Sequence, residues 1–191
     1  MNEYDTLIEK HFQKKPGEQI QALYDRYEQI SRYHKDPLTA ALLASSYYGM
    51  EELEMRLPRL DAVLRNPFET EHLRHALTGL IMVADGGPAE GAKAIQIYLA
   101  FQRQGLELAD SRSYHMLALL AISCGRAGRL AEELQADMTA MSQKEFCRAG
   151  SRWIRKEQDR QELLRDETSR AYALLLGMRE EVDTILEELE D

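Results

Sequence analysis

The chain has 191 residues, 44% hydrophobic and 30% charged, with a formal net charge of −9. That length suits one substantial domain whose core needs no cross-links, and the apolar content is too high for a disordered chain. The acidic balance argues against nucleic-acid binding through the whole surface, and no apolar run, residues 80–84 included, comes near the roughly 20 residues of a membrane span.

Residues 1–15 mix both charge signs and lack the apolar core of a signal peptide. Within residues 2–14, Tyr4, Leu7, Ile8 and Phe12 fall at helical spacing. Pro16 suits the first turn of a second helix, because proline has no N–H to lose there. That helix is expected to run to about residue 35, with Ile20, Leu23, Tyr24, Tyr27, Ile30 and Tyr33 as its stripe. Asp36-Pro37 then restarts the chain as cap and first turn of a third helix, residues 38–48. This helix is apolar nearly all round, which implies burial on more than one side, and Gly49 is its expected left-handed stop.

Residues 51–65 form the next helix, with Leu53, Leu57, Leu60 and Leu64 inward. Pro58 lies inside it and should kink it or divide it into two pieces. After a turn at Asn66-Pro67, residues 69–84 form an apolar helix that stops at Asp85-Gly86-Gly87-Pro88. Residues 89–104 form its amphipathic partner, closed by Gly105. Asp110 or Ser111 caps a third apolar helix, residues 113–123, which is followed by residues 130–141. No stretch alternates apolar and polar residues over a strand length, so no β-sheet is expected.

Aligning the breaks after the apolar helices pairs Leu43, Leu80 and Leu119, which are 37 and 39 residues apart. A period of this size belongs to αα-solenoids of the tetratricopeptide or HEAT kind. The expected fold is therefore all-α: one domain, residues 1–191, of stacked antiparallel helical hairpins in a degenerate solenoid. Hairpin repeats occupy residues 37–141. Residues 142–165 form a polar interruption carrying the only tryptophan, Trp153. Residues 166–191 form a capping hairpin. Its last helix has Val182, Ile185, Leu186 and Leu189 as its stripe and an acidic outer face, with seven acidic and no basic residues over 180–191.

Residues 38–123 contain Thr39-Ala-Ala-Leu-Leu-Ala-Ser, Leu73-x-x-Ala-Leu-Thr-Gly-Leu, Ala94-Ile-x-Ile-Tyr with Gly105-Leu, and Tyr114-x-Met-Leu-Ala-Leu-Leu. This pattern resembles an uncharacterised domain-of-unknown-function family of Gram-positive bacteria. Members of that family run longer at the N-terminus, so the resemblance implies a shortened or divergent member. It implies an all-helical fold and brings no activity, cofactor or catalytic residue with it.

The residues offer little chemistry of their own. His72 and His75 lie three apart on a helix with Glu69 and Glu71, so two imidazoles and a carboxylate could share a face and hold a metal. No His-Glu-x-x-His pattern supports this, and exposed polar residues are the plainer reading. Residues 86–93 are glycine-rich before a helix, but they lack the spacing of a phosphate loop. Cys124 and Cys147 have no metal or redox spacing and read as reduced thiols of a cytoplasmic protein. Cations near Cys147 could activate its thiol, but no histidine lies near it in sequence, and His115 reads as a satisfied histidine on a helix edge.

The most distinctive polar stretch carries Arg148, Arg152, Arg155, Lys156 and Arg160 around Trp153. Arginine and tryptophan are the residues that most often anchor interfaces. The alternative is an amphipathic helix with Trp153 and Ile154 folded onto the stack. Lys156 with Arg160, and Arg152 with Lys156, are like-charged at four-residue spacing, which favours an acidic partner such as the chain's own C-terminus. The tyrosines clustered at 24, 27, 33, 47 and 48 could line a peptide groove or a self-association surface.

The expected function is thus a non-enzymatic helical scaffold that binds a protein, a peptide or a second copy of itself. No catalytic residue, cofactor, membrane or nucleic acid is assigned. The rival is a helical enzyme or small-ligand or metal-binding protein with a site near Glu69, His72, His75 and His115.

Overall fold

The computed structural model describes residues 5–138 and 142–160. Tyr4, the side chains of Leu7, Arg155 and Arg160, and the C-terminal capping hairpin lie outside the described residues. Nine helices and no strand occur among them: α1 (Asp5–Gln13), α2 (Gly17–Ser31), α3 (Pro37–Ala44), α4 (Met50–Leu64), α5 (Glu71–Val83), α6 (Pro88–Gln102), α7 (Ser111–Ser123), α8 (Ala127–Asp137) and α9 (Gln143–Arg160). No helix among the described residues is long and apolar enough to cross a membrane.

The helices pack in two rows. In one, α3, α5, α7 and α9 each contact the next, and in the other α4, α6 and α8 do the same. Rungs between the rows join α4 to α5, α6 to α7 and α8 to α9. The row assignment follows from composition. Every residue from Leu38 to Ala44, from Leu73 to Met82 and from Ser113 to Ala121 is buried, as helices without a polar face require. The amphipathic α4 and α6 bury single stripes, such as Leu53, Leu57, Leu60 and Leu64. Leu43, Leu80 and Leu119 are all buried, each on a helix of the first row.

Two hydrophobic clusters result. The larger runs from α3 to α9, and the smaller joins α1 and α2 to α3 and α4 through Ile8, Phe12, Ile30, Tyr48, Leu53 and Leu57. α3 forms the partition: Leu38 and Leu42 belong to the first, Ala40, Ala41, Leu43 and Ala44 to the second. The tyrosines do not form one surface. Tyr24 and Tyr27 meet Phe12 edge-on, Tyr48 is buried, and Tyr47 is 62% exposed.

Several boundaries differ from the sequence expectation. α2 ends at Ser31, because the N–H groups of Tyr33 and His34 close onto the Ile30 carbonyl and the chain then turns inward. α3 ends at Ala44 instead of reaching Gly49. The Ser45 hydroxyl donates to the carbonyls of Ala41 and Leu42, and that of Ser46 to Leu43, competing with the helical pattern. Gly49 is consequently no left-handed stop. It has φ −69° and ψ 155° and stands as the N-cap of α4.

Pro58 neither ends α4 nor divides it: the helix is continuous through it. Pro58 and Glu54 are both exposed, so water can solvate the carbonyl that proline deprives of a partner. The stop after α5 uses Asp85 in the left-handed region, at φ 56°, where glycine is the usual choice. Its carboxylate accepts from the Tyr48 hydroxyl at 2.6 Å and lies 3.4 Å from the Arg56 guanidinium. Gly105, at φ 86°, follows α6 as expected. The polar stretch after residue 142 is a regular helix, α9, with one apolar side.

Candidate functional site

A cluster of buried polar side chains lies where the α2–α3 loop meets α4, α5 and α7. It comprises His34, Asp36, Thr39, Asp61, Arg74, His75, Thr78 and His115. His34 is 3% exposed and Asp36 2%. Polar groups this deep must satisfy one another, and the hydrogen bonds show how they do so.

Asp36 is the centre of the first half. Its Oδ2 accepts from the Thr39 backbone N–H at 3.0 Å, the Thr39 hydroxyl at 2.7 Å and His115 Nε2 at 2.9 Å. The first of these is the N-cap of α3, and the last reaches α7 across 79 residues of sequence. Burial alone would raise the Asp36 carboxyl. The adjacent His115 and the Thr39 donors outweigh it and hold the pKa down at about 2. The carboxylate is therefore ionised. Because the Thr39 hydroxyl donates to Asp36, it must accept from His34 Nε2, 2.7 Å away. His34 is then the Nε2–H tautomer, and burial drops its pKa to about 3.

The second half centres on Asp61. Arg74 Nε donates to its Oδ1 at 2.5 Å, and Arg74 Nη1 donates to the carbonyls of Phe68 and Glu69. His75 Nδ1 accepts the Lys35 backbone N–H at 2.8 Å, which directs its Nε2–H toward Asp61, 3.6 Å away. Burial lowers the His75 pKa, against the pull of Asp61. The two halves meet where the His34 and His75 rings stack at 4.9 Å with an 11° interplanar angle. Gly79 makes the approach of α5 possible. A Cβ there would lie 2.4 Å from Thr39 Oγ1 and 2.6 Å from His34 Nε2.

A cleft of about 180 Å³ opens beside this cluster, lined by Tyr33, His34, Leu57, Pro58, Asp61, His75 and Thr78. The Tyr33 hydroxyl in its wall is buried without a hydrogen-bond partner, while other polar groups of the cluster are committed. The His75 lone pair that a general base would need is taken by the Lys35 N–H, and the Thr39 hydroxyl both donates and accepts. Among the described residues no group of three or more His, Cys, Asp or Glu is arranged to hold a metal ion.

The residues singled out by sequence separate accordingly. His75 lines the cleft and His115 stands behind it through Asp36, whereas His72 and Glu69 are exposed. Sequence reasoning passed over His34, Thr39, Asp61, Arg74 and Thr78, and it read Asp36 only as a cap. A usable signal was present: His75, Thr78 and His115 interrupt otherwise apolar helices, and a polar group inside such a helix needs a buried partner.

On α9, Arg148 and Arg152 are exposed, as are Lys144 and Lys156. Arg148 pairs with Glu145 at 3.4 Å. Trp153 points inward: it is 7% exposed, belongs to the larger cluster, and donates through Nε1 to Glu133 at 2.8 Å. Cys124 and Cys147 are both buried.

Two outcomes test the cluster. Gly79→Ala should destabilise the fold by about 1–3 kcal/mol through overpacking against Thr39 and His34, read by urea denaturation; an unchanged midpoint would refute the tight contact. The second concerns pH. The unfolded chain protonates His34 near its ordinary 6.5, while the folded chain resists until about 3. The unfolded state then binds more protons, so stability should fall as pH drops below 6.5 and flatten near 3, by about 1.4 kcal/mol per unit for each such histidine. A flat unfolding free energy between pH 7 and 4 would contradict a neutral buried His34.

Comparison with protein-family models, curated proteins and solved structures returns no match.

Proposed function

We propose that the chain is a non-enzymatic helical scaffold that binds an acidic protein or peptide, and that the outer face of α9 is the binding surface. The observation that supports this is the row of exposed cations Lys144, Arg148, Arg152 and Lys156, spaced four residues apart along one helix. The opposite side of the same helix is buried through Phe146, Ala149, Gly150, Trp153 and Ile154.

An acidic partner would add charge pairing along this row. The row also runs against a net charge of −9. A long polyanion would be repelled by the rest of the surface, so an acidic protein segment is preferred to nucleic acid. The reading takes the protein to be cytoplasmic, in keeping with its two buried thiols. A second copy of the chain is one candidate partner.

Arg148→Glu together with Arg152→Glu should abolish partner capture from native cell extract while leaving the thermal midpoint within a few degrees of wild type. Capture that survives the double reversal would remove α9 from the interface. A second reading, a small-ligand site, is favoured by the cleft that His34, Asp61 and His75 line. Native mass spectrometry of the purified chain would favour it by showing a stoichiometric bound mass that His75→Ala abolishes.

A further inference from the structure

The cleft beside the polar cluster holds a donor that the fold does not use. Tyr33 lies just beyond the end of α2, and its hydroxyl lines the cleft yet is buried with no hydrogen-bond partner. Burial, with the nearby Glu54 charge, pushes the Tyr33 phenol up, so it keeps its proton to donate. A buried polar group without a partner costs stability, and such an orphan in a cleft wall marks a place where an occupant would supply the bond.

A second donor stands in the same wall. His75 Nδ1 takes the Lys35 N–H, so the proton lies on Nε2, and the 3.6 Å from there to Asp61 Oδ1 exceeds hydrogen-bond length. An acceptor lies beside it. Asp61 Oδ1 is spent on Arg74, whereas Oδ2 has the Arg65 guanidinium at 3.6 Å, also too far for a hydrogen bond. Leu57 and the exposed Pro58 supply the apolar wall.

The charges around the cleft offset one another. Asp61 is paired with Arg74, and Glu54 and Arg26 act on Tyr33 in opposite senses. An anion would meet the Asp61 carboxylate, and a cation would leave the Tyr33 and His75 donors unmet. The volume, about 180 Å³, is many times what one water needs and below that of pockets for drug-sized ligands.

We infer that the cleft binds a small uncharged molecule of the amide or lactam class, whose carbonyl accepts from Tyr33 and His75 and whose N–H donates to Asp61. Tyr33 is half-buried and stands outside the helix, so a small turn of its ring brings the hydroxyl to the occupant. The inference rests on the small-ligand reading of this cleft and does not involve α9.

Ligand-observed NMR titration of the full chain tests it. Benzamide and valerolactam are neutral and carry a carbonyl beside an N–H, whereas benzoate and benzylammonium carry charge. At least one of the neutral pair should bind saturably and in equal stoichiometry with the chain, and neither ion should saturate. Tyr33→Phe removes only the orphan hydroxyl. It should weaken the neutral probe by about tenfold while leaving the urea midpoint of the free chain unchanged or higher, because no bond within the fold is lost.

Failure of both neutral probes to saturate would overturn the inference. So would an ion that binds as well as its neutral counterpart, or a neutral probe held equally by Tyr33→Phe. Native mass spectrometry separates that failure from failure of the reading beneath it. A stoichiometric bound mass lost in His75→Ala, without probe binding, would keep a ligand site and discard the amide class. No bound mass and no probe binding would discard both.

Discussion

The packing of the central row turns on one buried carboxylate. Asp36 sits at the start of α3 and takes three hydrogen bonds on a single oxygen, two from its own helix and one from His115 of α7. A carboxylate removed from water is costly unless it is paired and fully bonded, so this arrangement fixes the angle at which the α2–α3 loop enters the core. Thr39 passes the constraint on to His34, and the stacked His34–His75 rings pass it to α5. The Asp61–Arg74 pair then ties α4 to α5 and to the turn before it. Elements far apart in sequence are thus held in register by directional bonds, inside a core whose apolar contacts are not directional.

Much of the cluster's hydrogen-bonding capacity is spent within it. Here His75 spends its lone pair on a backbone N–H, and Thr39 uses its hydroxyl twice. Along α9 the exposed cations and the buried Trp153 occupy opposite sides, so the residue that looked like an interface anchor serves the core and leaves the arginines to face solvent.

The all-helical class, the two kinds of helix and the caps at Asp36 and Asp110 were legible, because hydrophobic period and capping are local properties. The polar cluster was not. It depends on which turn of α5 meets which turn of α3, and nothing in the spacing of His34, Asp61 and His115 encodes that. The misjudged boundaries have local causes that were on view: Ser45 and Ser46 end α3 before Gly49 is reached, and the solvent-facing Pro58 leaves α4 continuous. His72 and His75, three apart, were taken to share a face. One turned outward and the other inward because the helix edge runs between them.

The partition formed by α3 has a thermodynamic meaning. Eight residues separate the two hydrophobic clusters, and neighbours along that helix serve opposite sides of it. Neither cluster owns the wall between them. Loss of α1 and α2 from one side would expose Ala41 and Leu43 and loosen the footing of Leu38 and Leu42 on the other. The two clusters are thereby joined at the third helix, where a disturbance on one side bears on the packing of the other.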